Sequence, residues 1–112
     1  MYRIEFSENA DAEMINISDY IFDKSGSAEI AIKVVLDVMD RIEKRLGYFP
    51  NSGSVEFISE DEAVYRQIVI DHYYIIYRIE ENERETFVLV TNVIHDSRNK
   101  DDILTELDKR WS

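Results

Sequence analysis

Cysteine is absent from the 112 residues, proline occurs once and glycine three times. The first absence excludes a disulfide framework, a thiolate metal site and a cysteine nucleophile, and it fits a reducing cytoplasm. The scarcity of Pro and Gly, beside 45% apolar and 12% aromatic residues, excludes a disordered or low-complexity chain. No run approaches the roughly 18 apolar residues of a membrane span. The opening MYRIEFSENADAEM also lacks the apolar stretch of a signal peptide, so a cytoplasmic location with no membrane partner is expected. Glycine-rich phosphate loops, HExxH, zinc spacings and G-x-S-x-G are missing too, and neither a metal nor a cofactor is expected.

Positive charge is also scarce: 13 basic residues face 24 acidic ones, a formal net charge of -11. Such a body repels phosphate unless its basic residues converge, which argues against direct duplex DNA binding by the chain alone. From Gly47 to Tyr65 there is no Lys or Arg, while Glu56, Glu60, Asp61 and Glu62 fall inside that window; the run reads as a solvated loop.

What is present is periodicity. Tyr2, Ile4 and Phe6 alternate with Arg3 and Glu5, the pattern of a half-buried strand. Ser7 then offers an N-cap, Glu8 and Asp11 suit the positive end of a helix dipole, and Ala10, Met14, Ile17 and Ile21 form an apolar stripe. Gly26 ends that helix. Ser27 caps a second, whose Ala31, Val35, Val38, Ile42 and Leu46 repeat at threes and fours until Gly47 and Pro50 close it. The short break predicts an antiparallel helical hairpin. Strands are predicted at 64–70, at 73–79 across an Asp71-His72 turn and at 85–95, and KDDILTELDKRW predicts a short C-terminal helix. The expected fold is therefore α+β and a single domain over 1–112. An antiparallel sheet, made of the N-terminal strand and a three-strand meander, carries the helical hairpin on one face. Val35, Val38 and Ile42 are expected against Ile68, Ile75 or Leu89.

Chemistry has to come from a constellation rather than a motif. In VYRQIVIDHYYIIYRI, residues 64–79, Arg66 shares a face with Ile68 and Ile70, and Arg78 with Tyr74 and Ile76. Each arginine alone reads as a guanidinium snorkelling to a carboxylate. Set roughly opposite each other by the hairpin, the two would instead clamp an anion or face a partner. Tyr77 is expected in the core, whereas Tyr74, on the arginine face, is placed for partner contact. His95 and Arg98 lie at the exit of the last strand. If His95 met Arg66 across the sheet, the pair would provide a titratable group and a phosphate clamp, the minimum for cleaving RNA through its own 2′-hydroxyl.

The joint order of YRIEFSENADAEM, DYI, L-x-x-F-P, YR, Y-x-I-I-Y-R and H-x-x-R resembles the RelE/ParE superfamily of bacterial type II toxins over nearly the whole chain. The resemblance implies a toxin that inhibits growth and is neutralised by a cognate antitoxin. Two targets are implied by its branches: DNA gyrase for ParE-like members, and the ribosome with its mRNA for RelE-like endonucleases. An inactive toxin-like interaction module is a further alternative. Carried over by position, Arg66 and His95 are the catalytic pair if the chain is a ribonuclease. Tyr74 stands where ribonuclease members often have arginine, and the loop before the first hairpin strand is acidic where theirs tends to be basic; both depart from the ribonuclease pattern, while the H-D-S-R-N ending and the long helical hairpin look closer to the ParE branch. That branch implies target contacts at Arg66, Tyr74, Arg78 and Arg98, and antitoxin contacts on the helical hairpin at Ile17, Ile21, Val34 and Met39.

Overall fold

The computed structural model describes residues 1–95, so the expected C-terminal helix lies outside the described residues. The elements are β1 (Arg3–Phe6), α1 (Glu8–Ser25), α2 (Ala28–Tyr48), β2 (Ser54–Ile58), β3 (Val64–Ile70), β4 (Tyr73–Glu81) and β5 (Thr86–His95). They form an α+β fold in which the helices pack on one face of a five-stranded sheet of order β1-β5-β4-β3-β2. Among the described residues no helix is long and apolar enough to cross a membrane.

The helix boundaries follow local chemistry. The Ser7 side chain accepts the Ala10 N–H at 3.0 Å and opens α1. Gly26 takes the left-handed φ of 69° that a Cβ would strain, and its N–H closes the helix on Phe22 O at 2.7 Å. Ser27 repeats the N-cap for α2, accepting the Ile30 N–H at 3.2 Å. The stripes then do what their spacing predicts: Ala10, Met14, Val38, Ile42 and Leu46 are buried against Ile68, Ile75, Tyr77, Val88 and Val90, with Val35 partly buried beside them.

Three features depart from the expected sheet. Part of the acidic window is not loop: β2 pairs antiparallel with β3, and its register shifts between Val55 and Phe57 so that Glu56 interrupts the ladder. Glu60, Asp61 and Glu62 do stay exposed, in a tight connection held by Ser59 N–H to Ala63 O at 3.0 Å. The second departure is direction. β1 lies parallel to β5, Arg3 opposite Phe87 and Phe6 opposite Val90, so the sheet is mixed rather than wholly antiparallel.

The third departure is a bulge. Ile76 faces Asn92 while its neighbour Tyr77 faces Val90, leaving Thr91 as an extra residue in β5. This residue inverts the alternation. Val88 and Val90 face the helices before the bulge and Val93 does so after it, whereas Leu89, expected in the core, pairs with Arg78 on the other face. The bulge falls where β1 stops, and α1 takes over the exposed edge of β5. Ser7 Oγ and Asn9 Nδ2 donate to Thr91 O at 3.2 and 3.0 Å, and Glu13 Oε1 accepts the Val93 N–H at 3.1 Å and Asn92 Nδ2 at 2.9 Å. A strand edge that would otherwise need another strand is thus satisfied by helix side chains.

Candidate functional site

The two hairpin arginines leave the sheet on opposite faces. Ile70 pairs with Tyr73 across the Asp71-His72 turn, and counting back from that closure sets Arg66 opposite Tyr77, one residue out of step with Arg78. One residue is half the period of a strand, so the guanidinium groups leave opposite faces of the sheet. Arg66, on the helix face, donates from Nη1 to Gly53 O at 3.0 Å. Arg78, on the other face, donates from Nη1 to Tyr65 Oη at 2.9 Å, lies 5.5 Å from the centre of that ring and pairs with Glu80. Both line one hollow of about 360 Å³ at the sheet end, beside Glu62 and Glu80. The two arginines thus have separate partners within the chain while lining the same hollow.

Around Arg78 the open face carries its own small core. Tyr65, Ile76 and Ile94 are buried there, with Phe57, Ala63 and the partly buried Tyr74 packed on them, and Phe57 stacks on Tyr65 at 4.5 Å. Tyr74 therefore lies on the Arg78 face, as alternation predicts. Tyr77 is in the core, also as expected; its hydroxyl donates to Pro50 O at 2.7 Å and accepts the Gly53 N–H at 3.0 Å, tying the α2–β2 connection to the sheet.

Burial pushes the phenols of Tyr65 and Tyr77 upward, opposed by Arg78 at the first and by the Gly53 N–H and Arg66 at the second. Because the folded values are raised, the stability they contribute is complete below the unfolded phenol value of about 10 and is lost as pH climbs through the folded values. Stability measured by denaturation across alkaline pH should therefore fall from about pH 10. Tyr77→Phe should make that fall shallower; an unchanged slope would place the alkaline sensitivity elsewhere.

His95 ends β5 opposite Tyr73, while Arg66 sits four residues along β3 from Ile70, the other partner of Tyr73. At the rise of a strand this separates them by about 13 Å lengthwise, besides the width of two strands. The proposed titratable group and phosphate clamp are not brought together. Arg98 lies outside the described residues. On the helical hairpin Ile17, Ile21, Val34 and Met39 are half-buried, and Ile17 and Met39 pack against the core between helices and sheet. The exposed apolar positions are neighbours of that stripe: Ile15, Phe22, Ile30, Ile32 and Leu36, each about half or more exposed.

A constellation that was not anticipated surrounds His95. Tyr73 meets its ring edge-on at 5.6 Å, and Tyr20 of α1 and His72 of the turn lie at 6.4 and 6.5 Å. Both histidines of the chain are therefore neighbours. Between α1 and the ends of β4 and β5 is a cleft of about 220 Å³ lined by Glu13, Asn16, Ile17, Tyr20, Tyr73, Val93 and His95. Its sequence signal was the polar set Glu13, Asn16 and Tyr20 at threes and fours beside the apolar stripe, which one helix face presents together. Among the described residues no group of three or more His, Asp or Glu side chains is arranged to hold a metal ion.

Comparison with known proteins adds a family. The sequence profile described as ParE toxin of type II toxin-antitoxin system, parDE, matches residues 4–100. Among solved structures, a chain from the one described as "Chromosomal ParDE TA system from P. aeruginosa" is similar in fold, with a TM-score of 0.65 at 20% identity over 85% of this chain and 96% of that chain. No curated protein matches the sequence significantly.

Proposed function

Since the chain belongs to the ParE toxin family of type II toxin-antitoxin systems, we propose that it inhibits growth by acting on DNA gyrase in ParE fashion and is held inactive by a cognate antitoxin. The observation that supports a protein target over messenger cleavage is the separation of His95 from Arg66 and Arg78. Transesterification of RNA needs an acid or base and a phosphate-stabilising cation within hydrogen-bond reach of one reacting centre. Here the cations leave opposite sheet faces and are engaged by Gly53 O and by Tyr65 with Glu80, and the histidine stands at the other end of the strands. The net charge of -11 also opposes an RNA substrate.

In this reading Arg78 and Tyr74, together on the open sheet face, are the target contacts, with Arg98 beyond the described residues and Arg66 holding the α2–β2 connection. The antitoxin lies on the helical hairpin. Its apolar anchors meet Ile15, Phe22, Ile32 and Leu36, and its charge is basic where it follows this acidic body.

Two assays separate the targets, one in cells expressing the chain from an inducible promoter and one with the purified protein. Induction should arrest growth, and the purified chain should block supercoiling by gyrase while cellular messengers stay uncut at ribosome-defined positions. Codon-position-dependent cuts that disappear in His95→Ala, with the variant still folded, would assign the function to the ribonuclease alternative. Normal growth under full induction would favour an inactive interaction module.

A further inference from the structure

We propose that the cleft between α1 and the ends of β4 and β5 is a receptor for one basic side chain, arginine by preference, carried by a protein partner. Size sets the first limit. At about 220 Å³ the cleft is smaller than the roughly 300 Å³ and upward of a drug- or cofactor-sized pocket, and it suits a single large side chain. Its chemistry sets the second. The rings of Tyr20, Tyr73 and His95 line one space together with Ile17, Val93 and Glu13, a carboxylate whose Oε1 already accepts from Asn9, Asn92 and the Val93 N–H. Aromatic faces attract a cation through their quadrupole, and a planar guanidinium can stack on a ring while donating to a carboxylate.

Two details single out a cation. Tyr20 already draws one within the chain: Lys24 Nζ lies 5.7 Å from the centre of its ring. None of the residues lining the cleft is Lys or Arg, and the whole body carries -11, so a basic partner segment gains from the long-range field as well as from the cleft. A phosphate or carboxylate would instead meet Glu13. Lysine enters less well than arginine, because a compact ammonium cannot stack. The inference does not depend on whether gyrase is the target, since it concerns the chemistry of the cleft alone.

The histidines make a built-in probe, because His95 lines the cleft, His72 lies 6.5 Å from its ring, and their imidazole signals are the only ones of the chain. N-acetyl-arginine methylamide, titrated into the purified protein at neutral pH and constant ionic strength, should shift the His95 imidazole signals saturably in the millimolar range. N-acetyl-norleucine methylamide, of similar length without the charge, should not. Tyr20→Ala removes a wall from a side chain that is already 56% exposed, so the fold should persist while binding weakens several-fold. The proposal is overturned by absence of a saturable shift, by equal shifts from the norleucine compound, or by undiminished binding to a Tyr20→Ala variant with a native spectrum.

Discussion

Replacing Ile42 by Ala should destabilise the protein by about 2–5 kcal/mol, the range for truncating a fully enclosed aliphatic side chain. Ile42 is 0% exposed at the centre of the layer between α2 and the sheet, with Val38 and Leu46 on its own helix and Ile68, Ile75 and Tyr77 in the same cluster. The sheet side of this layer is rigid because β3 is hydrogen-bonded between β2 and β4. Little collapse can fill the space of the lost atoms. Against a typical total stability of about 5–15 kcal/mol the change would be large. Urea denaturation should report it as a lower midpoint at unchanged slope. An unmoved midpoint would mean that α2 does not bear on the sheet through this residue.

The second large effect is expected from a single added carbon. A Cβ on Gly53 would stand 2.5 Å from Tyr77 Oη and 2.6 Å from Gln67 O, closer than real side chains approach such atoms. Neither neighbour can yield readily: the tyrosine hydroxyl is held by Pro50 O and the Gly53 N–H, and the carbonyl belongs to the β3 backbone. Gly53→Ala should therefore cost about 3 kcal/mol, the upper part of the overpacking range. Tyr77→Phe alone leaves two buried backbone groups without their partner, at about 1–3 kcal/mol. Combined, the two should cost less than their sum, since the phenylalanine removes the nearest of the three atoms that the new carbon meets, leaving Gln67 O and ring carbon Cε1. Strict additivity would show that the Gln67 carbonyl and the ring carbon, not the hydroxyl, carry the clash.

The parts of this fold that can be read from the residues are those fixed by neighbours in the chain. Ser7, Gly26 and Ser27 set the helix ends through bonds to residues three or four positions away, and the Asp71-His72 turn fixes the β3–β4 register directly. What escapes depends on distant partners or on a broken period. β2 is hidden because Glu56 interrupts its alternation and the acidic run around it reads as solvent-facing. Leu89 reads as core because nothing local announces Thr91 as the extra residue of a bulge. Alternation reports which residues share a face but not the direction of a strand, so the parallel pairing of β1 with β5 has no local signal. The arginines are expected together because both lie at the outer ends of their strands, but facing depends on the parity of the register. The cleft draws Glu13 and Tyr20 from α1 and Tyr73 and His95 from the sheet, a meeting that only the takeover of the β5 edge by α1 arranges.

That same parallel pairing has a consequence for the time at which the protein becomes complete. Of the described elements β1 leaves the ribosome before the others, yet Phe6 finds its paired neighbour only at Val90. At synthesis rates of about 5–20 residues per second, β1 waits roughly 4–17 s for the segment it pairs with. During that interval the helical hairpin can form from local contacts, but the apolar side of that hairpin has no sheet to cover. The growing chain therefore passes through a stage in which its helices are made and their apolar side is open. A partner that binds amphipathic helices has an opportunity to engage the chain before the sheet, and any activity that depends on it, exists.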